Sequence, residues 1–197
     1  MHEYHADPDR YSLMPTRRCG QSGVILPQVS LGLWHNFGSV DPFDNARTML
    51  RELKTPGVIY QGRFNMLNRE LENKGMFEML STGGIGSICF SPLAQGILTS
   101  RYVNGIPANS RATRNHFLKT SAITPELMQK VSQLEKIAAE RSQTLAQMAL
   151  AWILSRKGVT SVLCGASSAE QLAECAQAPL NTAFSAEEYK KIDGILL

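Results

Sequence analysis

Four short apolar runs restrict what this chain can become: VSLGLW (29–34), GVIYQ (57–61), IGSICF (85–90) and VTSVLCG (159–165). The last is β-branched and apolar on both faces, as a parallel strand covered by helices should be. Helical spacing follows the runs. FDNARTMLRELK (43–54) sets Ala46, Met49, Leu50 and Leu53 on one side and is closed by Pro56. LNRELENKGMFEML (67–80) does the same with Leu67, Leu71, Met76 and Leu80. Thr124 and Pro125 open a helix through Leu134 and Ala138, because Thr caps free N–H groups and Pro loses nothing at the first helical position. Thr144 with Gln147 starts the helix LAQMALAWIL (145–154), and Ser167 with Glu170 and Ser185 with Glu188 repeat that capping box. Ahead of the core, RRCGQSGVILPQ (17–28) reads as a hairpin-like cover with Gly20 and Gly23 between short extended pieces. Strands alternating with helices argue for a parallel α/β sheet, either open and doubly wound or part of a (β/α)8 barrel, and periodicity alone does not choose.

Composition removes several function classes. With 43% hydrophobic and 19% charged residues, no Gly/Ser/Pro linker and no charge block, residues 17–197 read as one domain behind a flexible lead, 1–16. The net charge of +3 comes without a Lys/Arg run, so a phosphate-bearing small molecule suffices as partner and nucleic acid is not expected. No segment has signal-peptide character or the roughly 18 apolar residues of a membrane span, which predicts a soluble cytoplasmic protein without membrane contact. Cys19, Cys89, Cys164 and Cys175 lack metal-ligand spacing and read as buried thiols.

Two segments carry chemistry. In CGASSAEQLAEC (164–175) a strand passes through Gly165 into a helix capped by Ser167. Free N–H groups and the positive dipole end at such a start favour an anion; Gln171 and Glu174 lie one turn apart, able to reach the same ligand. An ordinary capped helix explains the same residues. In FSPLAQGILTSRY (90–102), Ser91 and Pro92 make the turn after the third strand and Gly96 leaves room beside the backbone. Arg101 and Arg111 bracket the following loop, and guanidinium forks suit a phosphate monoester, although two solvated surface arginines are the plainer reading. Both segments sit at the C-terminal ends of strands, where α/β folds place ligands.

SLGLWHNFG, YQGRFNMLNRE, SPLAQGILTSRYVNGIPANSRA and GASSAEQLAE, in that order, resemble the aldo-keto reductase family. The similarity is to the branch containing bacterial glyceraldehyde-phosphate reductase-like enzymes and potassium-channel beta subunits. The resemblance, from about Arg17 to the end, implies a (β/α)8 barrel with NADP across its C-terminal mouth, delivering hydride to a small aldehyde or ketone. It implies that Trp34 lines the nicotinamide pocket and Gln61 holds the carboxamide. Phe90, Ser91, Pro92, Leu93, Ala94 and Gln95 follow the pyrophosphate, and Arg101, Asn109 and Arg111 surround the 2'-phosphate. Gly165, Ser167, Gln171 and Glu174 complete the adenine end. Cys175 stands where the family usually has Asn, and Ser168 where many members carry a basic or amide side chain.

The family reduces carbonyls with an Asp, Tyr, Lys, His group that follows its second to fourth strands. Here SLGLW matches the first strand and VIYQGRFNMLNRE the sixth, with the join near 46–52, so the chain is expected to be a partial barrel of about four strands, family strands 1, 6, 7 and 8. No catalytic residue is assigned. Tyr60 and Tyr102 have no Lys predictably near, Lys54 and Lys74 face outward, and His35 and His116 are loop histidines. Strands six, seven, eight and one are ring neighbours, so VSLGLW and GVIYQ would form the two edges and invite pairing between copies of the chain. The alternative is that helix 43–54 makes a crossover seating GVIYQ beside VSLGLW. An oxidoreductase lineage that does not turn over is thus set against a non-catalytic NADP-binding or partner-binding module.

Overall fold

The computed structural model describes residues 15–31, 59–82, 86–103, 105–108, 113 and 118–197. Strands β1 (Thr16–Arg18) and β2 (Ile25–Pro27) form the expected antiparallel ribbon. Its Arg17 guanidinium donates to Leu154 O at 3.1 Å and Val159 O at 2.7 Å. Those bonds pin the ribbon beneath the main sheet, and burial lowers the Arg17 pKa from its ordinary value.

Strands β3 (Val29–Leu31), β4 (Ile59–Arg63), β5 (Gly86–Phe90) and β6 (Val159–Cys164) make one sheet in the order β3-β6-β5-β4, every pairing parallel. An α/β fold with a parallel sheet is therefore present. The first and second of the four strands lie on opposite edges, so the alternative that seats GVIYQ beside VSLGLW does not occur. The expected helix 43–54 lies outside the described residues.

The expected helix 67–80 is two helices, α1 (Glu70–Asn73) and α2 (Met76–Thr82). Gly75 takes φ +65° between them, a left-handed conformation that ends the first helix and that only glycine adopts without strain. Helices α3 (Pro125–Glu140) and α4 (Leu145–Leu154) begin at Thr124 and Thr144, whose side chains accept from Leu127 N and Gln147 N as the sequence predicts. Helix α5 (Ala169–Ala176) follows β6, and α6 (Ala186–Leu196) starts at the Ser185–Glu188 capping box.

Helix α4 forms the centre of the core: every residue of it except Gln147 is buried. Trp152 is fully buried, stacked on Phe64 at 5.6 Å, and Phe64 meets Phe77 edge-on at 4.8 Å. Arg156 lies 3.8 Å from the Trp152 ring and Arg69 4.7 Å from it, so the indole's negative face offsets part of the cost of burying two cations. Arg69 is further held by Asp193 at 2.6 Å. On the helix-covered face, Cys89, Val162 and Cys164 are each at most 1% exposed. The registers Gln61↔Ile88, Arg63↔Phe90 and Phe90↔Leu163 set the opposite face, where Ile59 is 42% exposed and Ile88, Phe90 and Leu163 are half-buried.

Candidate functional site

Beyond β5 the backbone makes a turn that few side-chain-bearing residues tolerate. Ser91, Ala94 and Gln95 have φ of 53°, 47° and 62°, and Gly96 has 95°. Left-handed conformations at non-glycine residues cost free energy, about 1 kcal/mol or more each, and persist only where the surroundings fix them. Here three restraints act together. Internal hydrogen bonds run from Ala94 N to Ser91 O at 3.0 Å and from Gly96 N to Leu93 O at 2.9 Å. Ala94, Ile97 and Leu98 are buried beneath the turn. Third, Asn65, wholly buried after β4, donates from Nδ2 to Ser91 O at 2.9 Å while its Oδ1 accepts from Leu67 N at 3.0 Å and Asn68 N at 2.9 Å. One orientation of the amide satisfies all three bonds. Asn65, which holds this turn, is the residue of the candidate site that sequence reasoning missed. Its signal was the Asn-x-x-Asn spacing of FNMLN, which suits an Asx turn.

The second segment leaves the neighbouring strand. Because β5 and β6 are paired in parallel, residues 90–96 and 165–171 emerge on the same sheet edge, about one strand spacing of 4.8 Å apart at their roots. Gly165 and Ser167 are exposed there. The expected cap is corrected by one residue: Ser168, not Ser167, is the N-cap of α5, its hydroxyl accepting from Gln171 N at 3.3 Å. Ser167 instead donates from its backbone N at 3.0 Å and its hydroxyl at 2.9 Å to Gln171 Oε1. Both frames, Ser167 to Glu170 and Ser168 to Gln171, have the spacing of a box, and tertiary placement of α5 selects the second. The Ser168 hydroxyl and the Glu170 backbone hold the exposed Glu170 carboxyl below its ordinary pKa, a negative charge in the first turn of the helix.

The other predicted residues divide. Gln61 is exposed near the end of β4 and Phe90 is half-buried on the same face of the sheet. Pro92 is buried and Leu93 packs against the core, so both support the turn. A groove of about 450 Å³ opens beside it, lined by Arg63, Asn65, Asn68, Gln95 and Lys119 among others. Arg101 does not line that groove. It is exposed in a 3-10 turn, Ser100–Tyr102, capped by Thr99 Oγ1 and lying against α3. Glu174 is half-buried in α5, and its carbonyl accepts from Gln147 Nε2 at 3.3 Å. Trp34, Asn109 and Arg111 lie outside the described residues.

Among the described residues the candidate proton-transfer groups are not brought together, and Lys54, His35 and His116 lie outside them. Tyr102 is 2% exposed and buried in the core. Lys74 is exposed and paired with Glu70 at 2.6 Å, as its outward face predicted. Of the Asp and His residues, Asp193 alone lies among the described residues, on the far helix α6 with Arg69. Among the described residues, the arrangement offers exposed backbone and small residues to an extended ligand at this sheet edge and brings no acid–base pair beside it.

A family model described as "Aldo/keto reductase family" matches residues 31–197. Among curated proteins, "L-glyceraldehyde 3-phosphate reductase" of Escherichia coli O157:H7 is 45% identical over 150 residues, 74% of this chain and 43% of that protein. The protein of the same name from Escherichia coli (strain K12) matches equally. "Probable voltage-gated potassium channel subunit beta" of Oryza sativa subsp. japonica is 35% identical over 120 residues, 59% of this chain and 37% of that protein. The chain thus spans less than half the length of the curated relatives it matches.

Proposed function

The chain belongs to the aldo-keto reductase family, and from that premise we propose that it is an NADP-binding member of oxidoreductase lineage whose binding mouth is only partly present. The observation that carries this reading is the left-handed turn Ser91–Gly96 on the same sheet edge as the Gly165–Ser168 loop. The turn keeps side chains small or lateral at Ser91, Ala94 and Gly96, so a ligand's phosphates can approach the backbone closely.

On this reading Ser91, Leu93, Ala94 and Gln95 hold the pyrophosphate, Gln61 the nicotinamide carboxamide, and Gly165, Ser167, Gln171 and Glu174 the adenine end. Trp34, Arg101, Asn109 and Arg111 complete the site as the family resemblance implies. A bound nicotinamide cofactor supplies the hydride for reduction of a small aldehyde or ketone. The chain's own residues bind and orient it and keep one side of the site dry through Phe90 and Leu93. We do not assign a proton donor, and the expectation is that this chain does not turn over. The sheet order supports residues 17–197 as one domain retaining family strands 1, 6, 7 and 8, since it is the order those ring neighbours would leave. Among the described residues no helix is long and apolar enough to cross a membrane, in keeping with a cytoplasmic location. Strands β3 and β4 have no outer partner among the described residues, which supports self-association through the sheet edges. The second reading, a non-catalytic NADP-binding or partner-binding module, draws on the similarity to a channel beta subunit.

Calorimetric titration with NADPH, followed by addition of a small aldehyde, tests both. Binding without NADPH oxidation is expected. Steady oxidation above the protein-free rate would show that a proton donor exists, and absence of binding at millimolar NADPH would remove the cofactor reading altogether.

A further inference from the structure

The end of the sheet opposite the proposed cofactor edge holds a second cavity. The β1–β2 ribbon, the last turn of α2 and the turn from α4 into β6 border a space of about 530 Å³, within the range of small-molecule sites. Four cations line it, Arg17 and Arg18 from β1 and Arg156 and Lys157 from the α4–β6 turn, and no carboxylate does. It lies at the N-terminal ends of β5 and β6, about 15 Å of extended chain from the turn and loop that leave their C-terminal ends. We propose that this cavity binds a small phosphate monoester, a sugar or polyol phosphate, as a second ligand distinct from the cofactor.

The fold accounts for only part of the charge gathered here. Arg17 is committed, because its Nη1 donates to Leu154 O at 3.1 Å and Val159 O at 2.7 Å and so sets a cation on the negative end of the α4 dipole. Arg156 is stacked 3.8 Å from the Trp152 ring and 4.7 Å from that of Tyr189, with Glu72 Oε1 3.3 Å from its Nε. Arg18 and Lys157 are exposed and differ from these two. Arg18 donates to Ser22 O at 2.9 Å, and neither residue has a carboxylate partner among the described residues. Two uncompensated positive charges lining one cavity repel each other, and a dianion between them removes that cost. The segments that carry them are held in place. Cys19 N donates to Val24 O at 2.8 Å across the ribbon's turn, and Val159 N donates to Arg156 O at 3.2 Å across the other. Gly158 takes φ +93° there, where a Cβ would meet Phe77 O at 2.9 Å, so the turn that presents Lys157 requires glycine beside it.

The lining also selects the chemistry of the ligand. A guanidinium fork beside an ammonium suits the oxygens of a phosphate monoester, whose second ionisation supplies the second negative charge. Leu154 and Val159 give the only apolar side chains of the lining, and they are 1% and 2% exposed. The organic part of the ligand therefore meets the exposed Gln21 amide and Ser81 hydroxyl, which serve a polyol and offer an apolar carboxylate nothing.

Calorimetry on the whole chain at low ionic strength tests the site, with glycerol phosphate, inorganic phosphate and glycerol as titrants and NADPH titrated in parallel. Expected are a single glycerol phosphate per chain, weaker binding of inorganic phosphate and none of glycerol. Arg18→Ala and Lys157→Ala, both at exposed positions, should each weaken glycerol phosphate about tenfold and leave NADPH affinity unchanged. Lys136→Ala, which removes an equal charge from an exposed position of α3 outside the cavity, should weaken it by less than about twofold. Absence of glycerol phosphate binding at millimolar concentration would overturn the site, as would an equal loss in Lys136→Ala, the mark of diffuse charge attraction. Parallel loss of NADPH binding in Arg18→Ala and Lys157→Ala would give the cavity to the cofactor and overturn a second ligand. Inorganic phosphate bound as tightly as glycerol phosphate would overturn the part given to Gln21 and Ser81. A chain that binds glycerol phosphate and no NADPH keeps this site and removes the cofactor reading.

Discussion

The two faces of the central sheet contain similar residues and meet different fates. On one, Val162 and Cys164 of β6 and Cys89 of β5 are sealed beneath helices whose core is Trp152, Phe64 and Phe77. On the other, Ile59, Ile88, Phe90 and Leu163 share a register yet stay partly open, with Gln61 and Arg63 exposed among them. An apolar strand residue is buried only when another layer arrives to cover it, and among the described helices α4 packs on β6 and α2 on β5 from the covered side. The strained turn at Ser91–Gly96 sits where the two faces meet, its backing taken from the covered side through Ala94 and Leu98. A site of this kind borrows rigidity from the packed face and accessibility from the open one.

The largest break in that contrast is Trp152→Ala. It removes the stacked partner of Phe64 and the ring under Arg156, and the expected loss is about 3–5 kcal/mol in urea unfolding. A loss under about 1 kcal/mol would show that the covered face does not carry the fold. Next, Asn65→Ala strips the Leu67 N–H and the Ser91 carbonyl of their side-chain partner, costing about 1–3 kcal/mol. NADPH affinity should fall with it by about tenfold, equivalent to ~1.4 kcal/mol. Asn65→Asp keeps the acceptor for Leu67 N and Asn68 N but sets a buried carboxylate oxygen against the Ser91 carbonyl, so it should weaken binding at least as much as Asn65→Ala. The smallest effect on stability belongs to Ile59→Lys on the open face, within about 0.5 kcal/mol. Sedimentation velocity should nevertheless show it shifting the chain toward monomer. If the mutant sediments like the parent, the open edge does not mediate association.

How much of this was legible in the sequence follows from what each feature depends on. The boxes Thr144–Gln147 and Ser185–Glu188 stand where the spacing put them, because a cap needs only residues three apart. The pair Ser167–Ser168 shows the limit: two adjacent frames satisfied the same rule, and only the seating of α5 chose between them. Helix 67–80 failed at Gly75, where propensity allowed continuation but the chain needed a left-handed break to turn Phe77 under Phe64.

By itself the sequence determined the alternating elements, most of their caps, the hairpin cover and the family, since each rests on local spacing or on runs of matching residues. Tertiary structure decided the order β3-β6-β5-β4 and the left-handed turn held by Asn65. Those depend on residues brought together from distant positions, and the free energy that selects them is packing across the sheet, which no local pattern encodes.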